Sequence, residues 1–343
     1  MGCDGGLDWL LEEDNPPVRL MTLTQLLRRD EDDDDVRTAR ASLMDYSVTQ
    51  AILAHHREVW ESGPRQFWSY QGKHWNTVFL GQFLANGRDS RLTQGLQELA
   101  GVVWPNCGAP CMAACMLRAL KRLGYGEHPE VVRGNEALAR SVLEDGGITC
   151  QYMASSLLSR CYMALPKLLL CFTELAEETR SRVLQDATTW ITRGLTDHQV
   201  FVYAPENRKD WDAVRPKPRT KGDVPEGETR ASWVAKAREQ YIAERGLGGL
   251  QPKPSWTRFG FPLNYNSDIL EAMFALALAN APMSPSLERP LQVIKNKQTP
   301  NSRWLMDRSL NGKMWADVEA KGMPSKWITL FAMIVLDHFG EGR

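Results

Sequence analysis

The chain has 343 residues, of which 43% are hydrophobic, and its 41 Lys and Arg residues nearly balance its 42 Asp and Glu residues. This length can bury a sizeable core, and the balanced charge argues against nucleic acid or an anionic membrane as the main partner. The longest apolar run is far shorter than the ~20 residues of a membrane-spanning helix. The odd count of 7 Cys residues and an acidic start, unlike a secretory signal, predict a soluble, cytoplasmic protein with reduced thiols.

Residues 1–60 predict helices that are interrupted by six consecutive acidic residues, 30–35. Like charges at this density repel one another, so the run belongs in water. The last of these acids precedes a helix-forming stretch, where a carboxylate can accept hydrogen bonds from the free N–H groups of the first turn. We therefore expect a solvated join with a helix cap.

Five copies of one helix-forming sequence pattern follow this region. Each copy begins with polar or aromatic residues and continues as an apolar run. A more polar helical stretch usually follows each copy, which indicates an array of helix pairs that bury their apolar faces against neighbours. The first helix of each pair is expected inside and the second outside, around a central cavity whose mouth gathers the polar openings. The copies are KHWNTVFLGQFLANG from Lys73, GAPCMAACMLRALKRLGYG from Gly108, YMALPKLLLCFTELAEE from Tyr162, NYNSDILEAMFALALANAP from Asn264 and PSKWITLFAMIVLDHFG from Pro324.

The repeats favour a single domain over residues 1–343, with an irregular insertion at about 203–256. The insertion is rich in Pro and charge, and only a helix over about 232–244 is predicted within it. Two interpretations stay open: a disordered surface loop, and a lid over the cavity mouth. The lid is favoured by Trp211, Trp233 and Trp256, which are costly to leave in water.

Several stretches resemble the α/α-toroid superfamily, which includes squalene and terpene cyclases and protein prenyltransferase β-subunits. The stretches are WLLEEDNPPVRLMTL, LKRLGYGEHPEVV, EDGGITC, RFGFPLNYNSDILEAM and NGKMWADVEAKGMPSKWITLFAMIVL. The resemblance implies an all-α toroid of inner and outer helices, in which aromatic side chains line a cavity for isoprenoid-like substrates. The chain departs from large triterpene cyclases because it is about half as long and lacks evident Gln-Trp loop motifs.

The acidic run contains a DxDD string, Asp30-Glu31-Asp32-Asp33, of the kind with which class II cyclases protonate a double bond. A catalytic acid of that type needs a dry cavity to hold its proton. This string lies in a polar join, so we assign it to the helix cap and look for the acid elsewhere.

The candidate acid and base residues lie at the openings of the inner helices. We favour Asp268 as the acid or base, because an apolar wall would raise its pKa toward neutrality, although a carboxylate in a first helical turn also serves as a simple cap. The two lysines among the candidates either extend to water or face Asp268 across the cavity. The full set is Asp268, Tyr265, His74, Lys326 and Lys167.

Four cysteines are predicted at one end of two neighbouring repeats: Cys107, Cys111, Cys150 and Cys161. Converging thiolates suit zinc, and zinc is therefore a candidate cofactor. The alternative is ordinary buried thiols, since Cys is among the residues most often found in cores and no CxxC pair is present. The prenyltransferase zinc-ligand string is not reproduced, so the resemblance assigns no ligand here.

The aromatic residues Trp75, Phe261 and Trp327 are candidate substrate contacts, and packing in the core is their alternative role. The sequence contains no phosphate-binding glycine loop, dinucleotide fingerprint or nucleophile elbow. Three functions follow: an enzyme of isoprenoid or other specialised metabolism that cyclises or rearranges a mostly apolar small molecule by acid/base chemistry, a non-catalytic binding or scaffold toroid, and a zinc-thiolate transferase or lyase.

Overall fold

The structure is a computed structural model that describes residues 4–102, 109–144, 148–150, 156–158, 160–175 and 179–340. The chain is all-α in this part apart from one two-stranded ribbon, as the repeat pattern predicts. The helices are α1 Asp4–Leu10, α2 Pro16–Met21, α3 Asp34–Ala41, α4 Ser47–Ala54, α5 His56–Trp60, α6 Lys73–Gln82, α7 Thr93–Ala100, α8 Pro110–Leu120, α9 Pro129–Glu144, α10 Ala164–Phe172, α11 Arg182–Asp197, α12 Arg208–Val214, α13 Arg230–Arg245, α14 Ile269–Leu278, α15 Pro285–Asn296 and α16 Lys326–Phe339.

The five copies of the repeated sequence pattern form the buried helices α6, α8, α10, α14 and α16. Every residue of α10 is buried, as is every residue of α14 from Ile269 to Ala277. A helix that is apolar all round has to be surrounded by protein, and these five helices supply nearly half of the buried residues of the main hydrophobic cluster.

The helices α7, α9, α11 and α15 bury one stripe and leave the opposite face in water. Helix α9 packs on α8 and α11, α11 also packs on α10, and α15 packs on α14. Buried helices thus alternate with amphipathic helices along the chain, as the expected helix pairs require.

The buried helices pack on one another in sequence order, from α6 to α8, α10, α14 and α16, and α16 then contacts α1 and α2. The first of these contacts depends on Gly81 in α6. A Cβ at this position would lie 2.7 Å from the Cα of Ala119 in α8, so glycine permits the close approach of the two backbones.

The segment predicted as an irregular insertion carries regular structure. Strand β1, Val202–Pro205, pairs antiparallel with β2, Leu250–Pro252, and the two strands form the base of the segment. Helices α12 and α13 lie between them and share a small core that contains Trp211 and Tyr241. Trp256 packs separately, in the main cluster. The interpretation as a structureless loop is therefore replaced by a folded helical segment.

The acidic run caps helix α3, as expected, but the capping residue is Asp33 and not the last acid of the run. The Asp33 carboxylate accepts hydrogen bonds from the backbone N–H groups of Asp35 and Val36. Asp33 also pairs with Arg29. The other five acids of the run are exposed in the polar join, which supports their exclusion as a catalytic acid.

None of the helices in the described part of the chain is long and apolar enough to cross a membrane.

Candidate functional site

Asp268 lies at the N-terminus of α14, and its carboxylate is fully engaged. Oδ1 accepts the backbone N–H of Glu271 at 2.9 Å, which caps the helix. Oδ2 accepts the backbone N–H of Gly260 at 3.0 Å and Nη2 of Arg308 at 2.9 Å. The carboxylate therefore ties the start of this buried helix to the loop that precedes it and to a second loop 40 residues further along the chain.

Burial raises the pKa of Asp268 to about 6, although the positive charge of Arg308 acts in the opposite direction. The expected shift toward neutrality is present. Its cause is desolvation in the protein interior, where the ionised form is disfavoured.

Arg308 is held from two sides. Besides its bond to Asp268, its Nε donates to the backbone carbonyl of Arg258 at 2.9 Å. Gly260 makes the approach of the two loops possible, because a Cβ there would lie 3.1 Å from both Cβ and the carbonyl oxygen of Arg308. The guanidinium thus has a fixed position, with part of its surface open to solvent.

The loop that leads from Gly260 to α14 is anchored on helix α6. The side-chain amide of Gln82 donates to the carbonyl of Leu263 and accepts the N–H of the same residue, both at 2.9 Å. This reciprocal pair replaces the hydrogen bonds that a strand would supply, and it holds the segment between Phe261 and Asn266 in place.

Lys167 and Glu271 form an ion pair of 2.5 Å between α10 and α14, with side chains that are 2% and 1% exposed. The Lys167 ammonium also donates to Ser267 Oγ at 2.7 Å and to the carbonyl of Asn266 at 3.1 Å. Lys167 therefore faces the interior, one of its two predicted orientations, but its direct partner is Glu271 and not Asp268.

The space between helices α6, α8, α10 and α14 is almost filled. A cavity of about 20 Å³ remains there, lined by polar groups that include Gln82, Arg118, Lys167 and Glu271. This volume is close to the space that a single water molecule occupies, and it is smaller than any organic substrate. A central apolar ligand stays a prediction. A larger pocket lies at the rim of the helical array.

Tyr265 lies at this rim and is 44% exposed. Its hydroxyl shares a hydrogen bond with the half-buried Tyr70, and burial and this partner together raise the pKa of Tyr70 above its usual range. Among the predicted catalytic residues, Tyr265 is the one that lines an open pocket at this rim.

The pocket at the rim has a volume of about 270 Å³. Among the described residues, no carboxylate lines this pocket. Four cationic side chains do: Arg258, Arg308, Lys313 and Lys321. The remaining wall is formed by the two tyrosines and by loop residues that include Asn264 and Asn266. We call this site the basic pocket.

The other two predicted catalytic residues lie away from the basic pocket. His74 is buried among the rings of Phe67, Trp68 and Trp75, and desolvation lowers its pKa to about 3, so the imidazole is neutral at physiological pH. Lys326 faces neither open water nor Asp268, because its ammonium pairs with Glu12 at 2.7 Å and with Asp14.

The three candidate substrate aromatics lie at or behind the basic pocket. Phe261 forms part of its wall and stacks on Trp327 at 4.1 Å between ring centroids. Trp75 lies 6.4 Å from the ring of Tyr265. Trp75 and Trp327 are 2% and 1% exposed, so their present contacts are those of core residues that support the wall.

Three of the four predicted metal ligands can be placed, and Cys107 lies outside the described residues. The Cys161 thiol shares a hydrogen bond with Cys150, and this bond and burial raise the pKa of Cys161. No group of three His, Cys, Asp or Glu side chains suited to a metal ion occurs in the described ranges, Cys111 included. Since Cys107 lies outside these ranges, a zinc centre stays a prediction.

Sequence reasoning missed Arg308, Glu271 and the two lysines of the basic pocket. Glu271 carried a signal, since it is the one acidic residue within the apolar run ILEAMFALAL. Arg308, Lys313 and Lys321 lie in an irregular segment before α16 that shows no periodicity, and only the folded chain brings them together in one pocket.

In comparisons with known proteins, no family model matches the chain, and neither does any curated protein or solved structure. The resemblance to the toroid superfamily therefore depends on the sequence patterns alone.

Proposed function

We propose that the chain binds a small anionic molecule in the basic pocket, with phosphate or carboxylate groups as the recognised chemistry. The observation that carries this proposal is the set of four cations around one pocket of about 270 Å³ without a lining carboxylate in the described part of the chain. Like charges held together repel one another, and an anion removes that cost while it gains several charge-assisted hydrogen bonds.

The cations differ in how they are held. Arg308 is fixed by Asp268 and by the carbonyl of Arg258, so its planar group is preorganised for a bidentate contact with phosphate or carboxylate. Lys313 and Lys321 are exposed and form no ion pair with any described residue. They supply positive charge that no carboxylate of the described residues neutralises.

We also propose that the helix pairs form a closed α/α ring with the basic pocket at one rim. The sequential packing of the five buried helices supports this arrangement, as does the 6.0 Å distance between the rings of Phe83, which follows α6, and Trp327 in α16. An experimental structure that separates α6 from α16 would refute the ring.

An enzymatic role in specialised metabolism, as a cyclase, isomerase or lyase, remains our proposal for the chemical step. Within it the proton donor is Tyr265, since Asp268 acts through Arg308 and the Gly260 backbone and does not line the pocket. Asp268 is thus a positioning residue. The Tyr265→Phe variant should keep anion affinity within about threefold, because the change removes a proton and no positive charge.

The test is calorimetric titration with pyrophosphate and with citrate at constant ionic strength. The wild-type protein should bind at least one of these anions at a single saturable site, and the Lys313→Gln/Lys321→Gln variant should bind it at least ~10-fold more weakly, since each charge-assisted contact contributes about 1.5–3 kcal/mol. The two anions distinguish phosphate from carboxylate recognition.

A matched control removes two positive charges elsewhere. Arg88 and Lys295 are exposed and outside the basic pocket, so Arg88→Gln/Lys295→Gln should bind like the wild type. An equal loss of affinity in both double variants would indicate non-specific attraction, and a lack of saturable binding to either anion would refute the proposal.

A further inference from the structure

A second constellation lies on the other side of α10, where Tyr162 precedes this helix and His198 follows α11. The Tyr162 hydroxyl is 2.9 Å from His198 Nε2, and His198 Nδ1 is 3.2 Å from the carbonyl oxygen of Val202. Because a carbonyl can only accept, Nδ1 carries the proton in the neutral ring. Nε2 then has a free lone pair and accepts the hydrogen bond from the phenol.

This arrangement contains the three groups that activate a hydroxyl. Tyr162 carries the reacting oxygen, His198 is the base, and the Val202 carbonyl orients the base. The Tyr162 ring is fixed on its other side by Tyr203, with the two rings stacked at 4.8 Å. Partial burial raises the pKa of the Tyr162 phenol, so at neutral pH it holds its proton and needs a base to react.

Open space adjoins the pair. A pocket of about 260 Å³ is lined by both Tyr162 and His198, with Leu165 and Trp190 as its apolar wall. Arg160 and Arg193 are also in its lining, both exposed and without an ion pair among the described residues, together with one carboxylate, Asp197. Gly194 leaves the space open, since the nearest atom to a Cβ there is Leu165 Cδ1 at 3.9 Å.

We propose that Tyr162 and His198 are a general-base pair in a second small-molecule site. The site would take a compound with an apolar body, which packs against Trp190 and Leu165, and an anionic group near Arg160 and Arg193. In the step, the Tyr162 oxygen takes a proton from the bound molecule while the phenol proton passes to His198 Nε2. The substrate becomes an anion, the imidazole becomes a cation, and the two arginines stabilise the new negative charge. This inference is independent of the basic pocket.

The pair can be tested without the substrate, by labelling with 4-(fluorosulfonyl)benzoic acid and with neutral benzenesulfonyl fluoride at pH 7. An activated phenol oxygen attacks sulfur, the S–O bond forms as the S–F bond breaks, fluoride leaves, and His198 takes the proton. With the neutral probe, which the basic pocket does not attract, peptide mass spectrometry should show Tyr162 labelled at least ~10-fold faster than Tyr265, the effect of a positioned base on a phenol. Tyr265 is the internal reference, since the residue is 44% exposed and the partner of its hydroxyl is Tyr70, which is not a base.

Three variants complete the design. His198→Gln should slow labelling of Tyr162 at least ~10-fold with Tyr265 unchanged, which also reports that the variant is folded. Gly194→Leu should block access with the pair intact, and Gly194→Ala is its control. Arg193→Gln should remove a preference for the carboxylated probe.

The proposal is overturned if Tyr162 reacts no faster than Tyr265, or if His198→Gln leaves its rate unchanged. Equal rates with the two probes in the wild-type protein would overturn the assignment of an anionic substrate.

Discussion

The charged side chains between the buried helices have ion-pair partners of opposite charge, whereas most of those in the basic pocket have none among the described residues. Lys167 and Glu271 neutralise each other in the interior, and Arg118 and Arg122 both pair with Glu174 there. In the basic pocket, Arg308 has one carboxylate partner and the two lysines have none among the described residues. Interior charges that are paired serve the fold, whereas clustered charges without partners at a surface pocket are available to a ligand.

The largest effect that separates the two regions should come from Lys167→Met. This change leaves the carboxylate of Glu271 buried without its counter-ion, and we expect a loss of about 3–5 kcal/mol in the free energy of unfolding. Denaturant titration measures it.

The control for this prediction is the double variant Lys167→Met/Glu271→Leu, which removes both charges and should regain most of the lost stability. If Lys167→Met alone lowers the free energy of unfolding by less than ~1 kcal/mol, the pair of Lys167 and Glu271 does not stabilise the fold. The proposed difference between paired interior charges and unpaired pocket charges would then be wrong.

A smaller effect is expected from pH. The pKa of Asp268 is raised from 3.8 to about 6 in the folded protein, so between these values the folded state holds a proton that the unfolded state has lost. Stability therefore falls as pH rises from about 4 to about 6, by about 2–3 kcal/mol from this group.

The Asp268→Asn variant should lack this part of the pH dependence, as measured by denaturant titration at several pH values. Glu319, whose pKa burial raises to about 7, contributes in the same direction over a higher range and should keep its contribution in the variant. An unchanged stability profile between pH 4 and 6 would show that Asp268 is not the titrating group.

The smallest effect on stability is predicted for Lys313→Gln/Lys321→Gln. Both lysines are exposed, and neither forms an ion pair with a described residue, so the free energy of unfolding should change by less than ~0.5 kcal/mol. Denaturant titration without ligand provides the value. A larger loss would mean that these lysines belong to the structural charges.

The helices were largely predictable from the sequence, and the site was predictable only in part. All five buried helices were predicted from long apolar repeats, because a helix that is buried on every side has apolar residues on all its faces. The elevated pKa of Asp268 was also expected. Its partner Arg308 was not, since a contact between residues 40 positions apart, through an irregular loop, has no periodic signal.

The folded insertion shows the same limit. Its charge and proline content suggested a loop, but Trp211 and Tyr241 form a small core of their own, and a ribbon of two short strands forms its base. Strands of three and four residues are too short to show alternation in sequence.

The most direct measurement of the central claim is denaturant unfolding with and without saturating pyrophosphate or citrate, whichever binds. At a concentration of 100 times the Kd, a ligand that binds only the folded state adds about 2.7 kcal/mol to the free energy of unfolding. We predict that the wild-type protein shows this gain, whereas Lys313→Gln/Lys321→Gln starts from the same stability and shows little gain at that concentration. An equal gain in both proteins, or none in the wild type with either anion, would contradict the assignment of the basic pocket as an anion site.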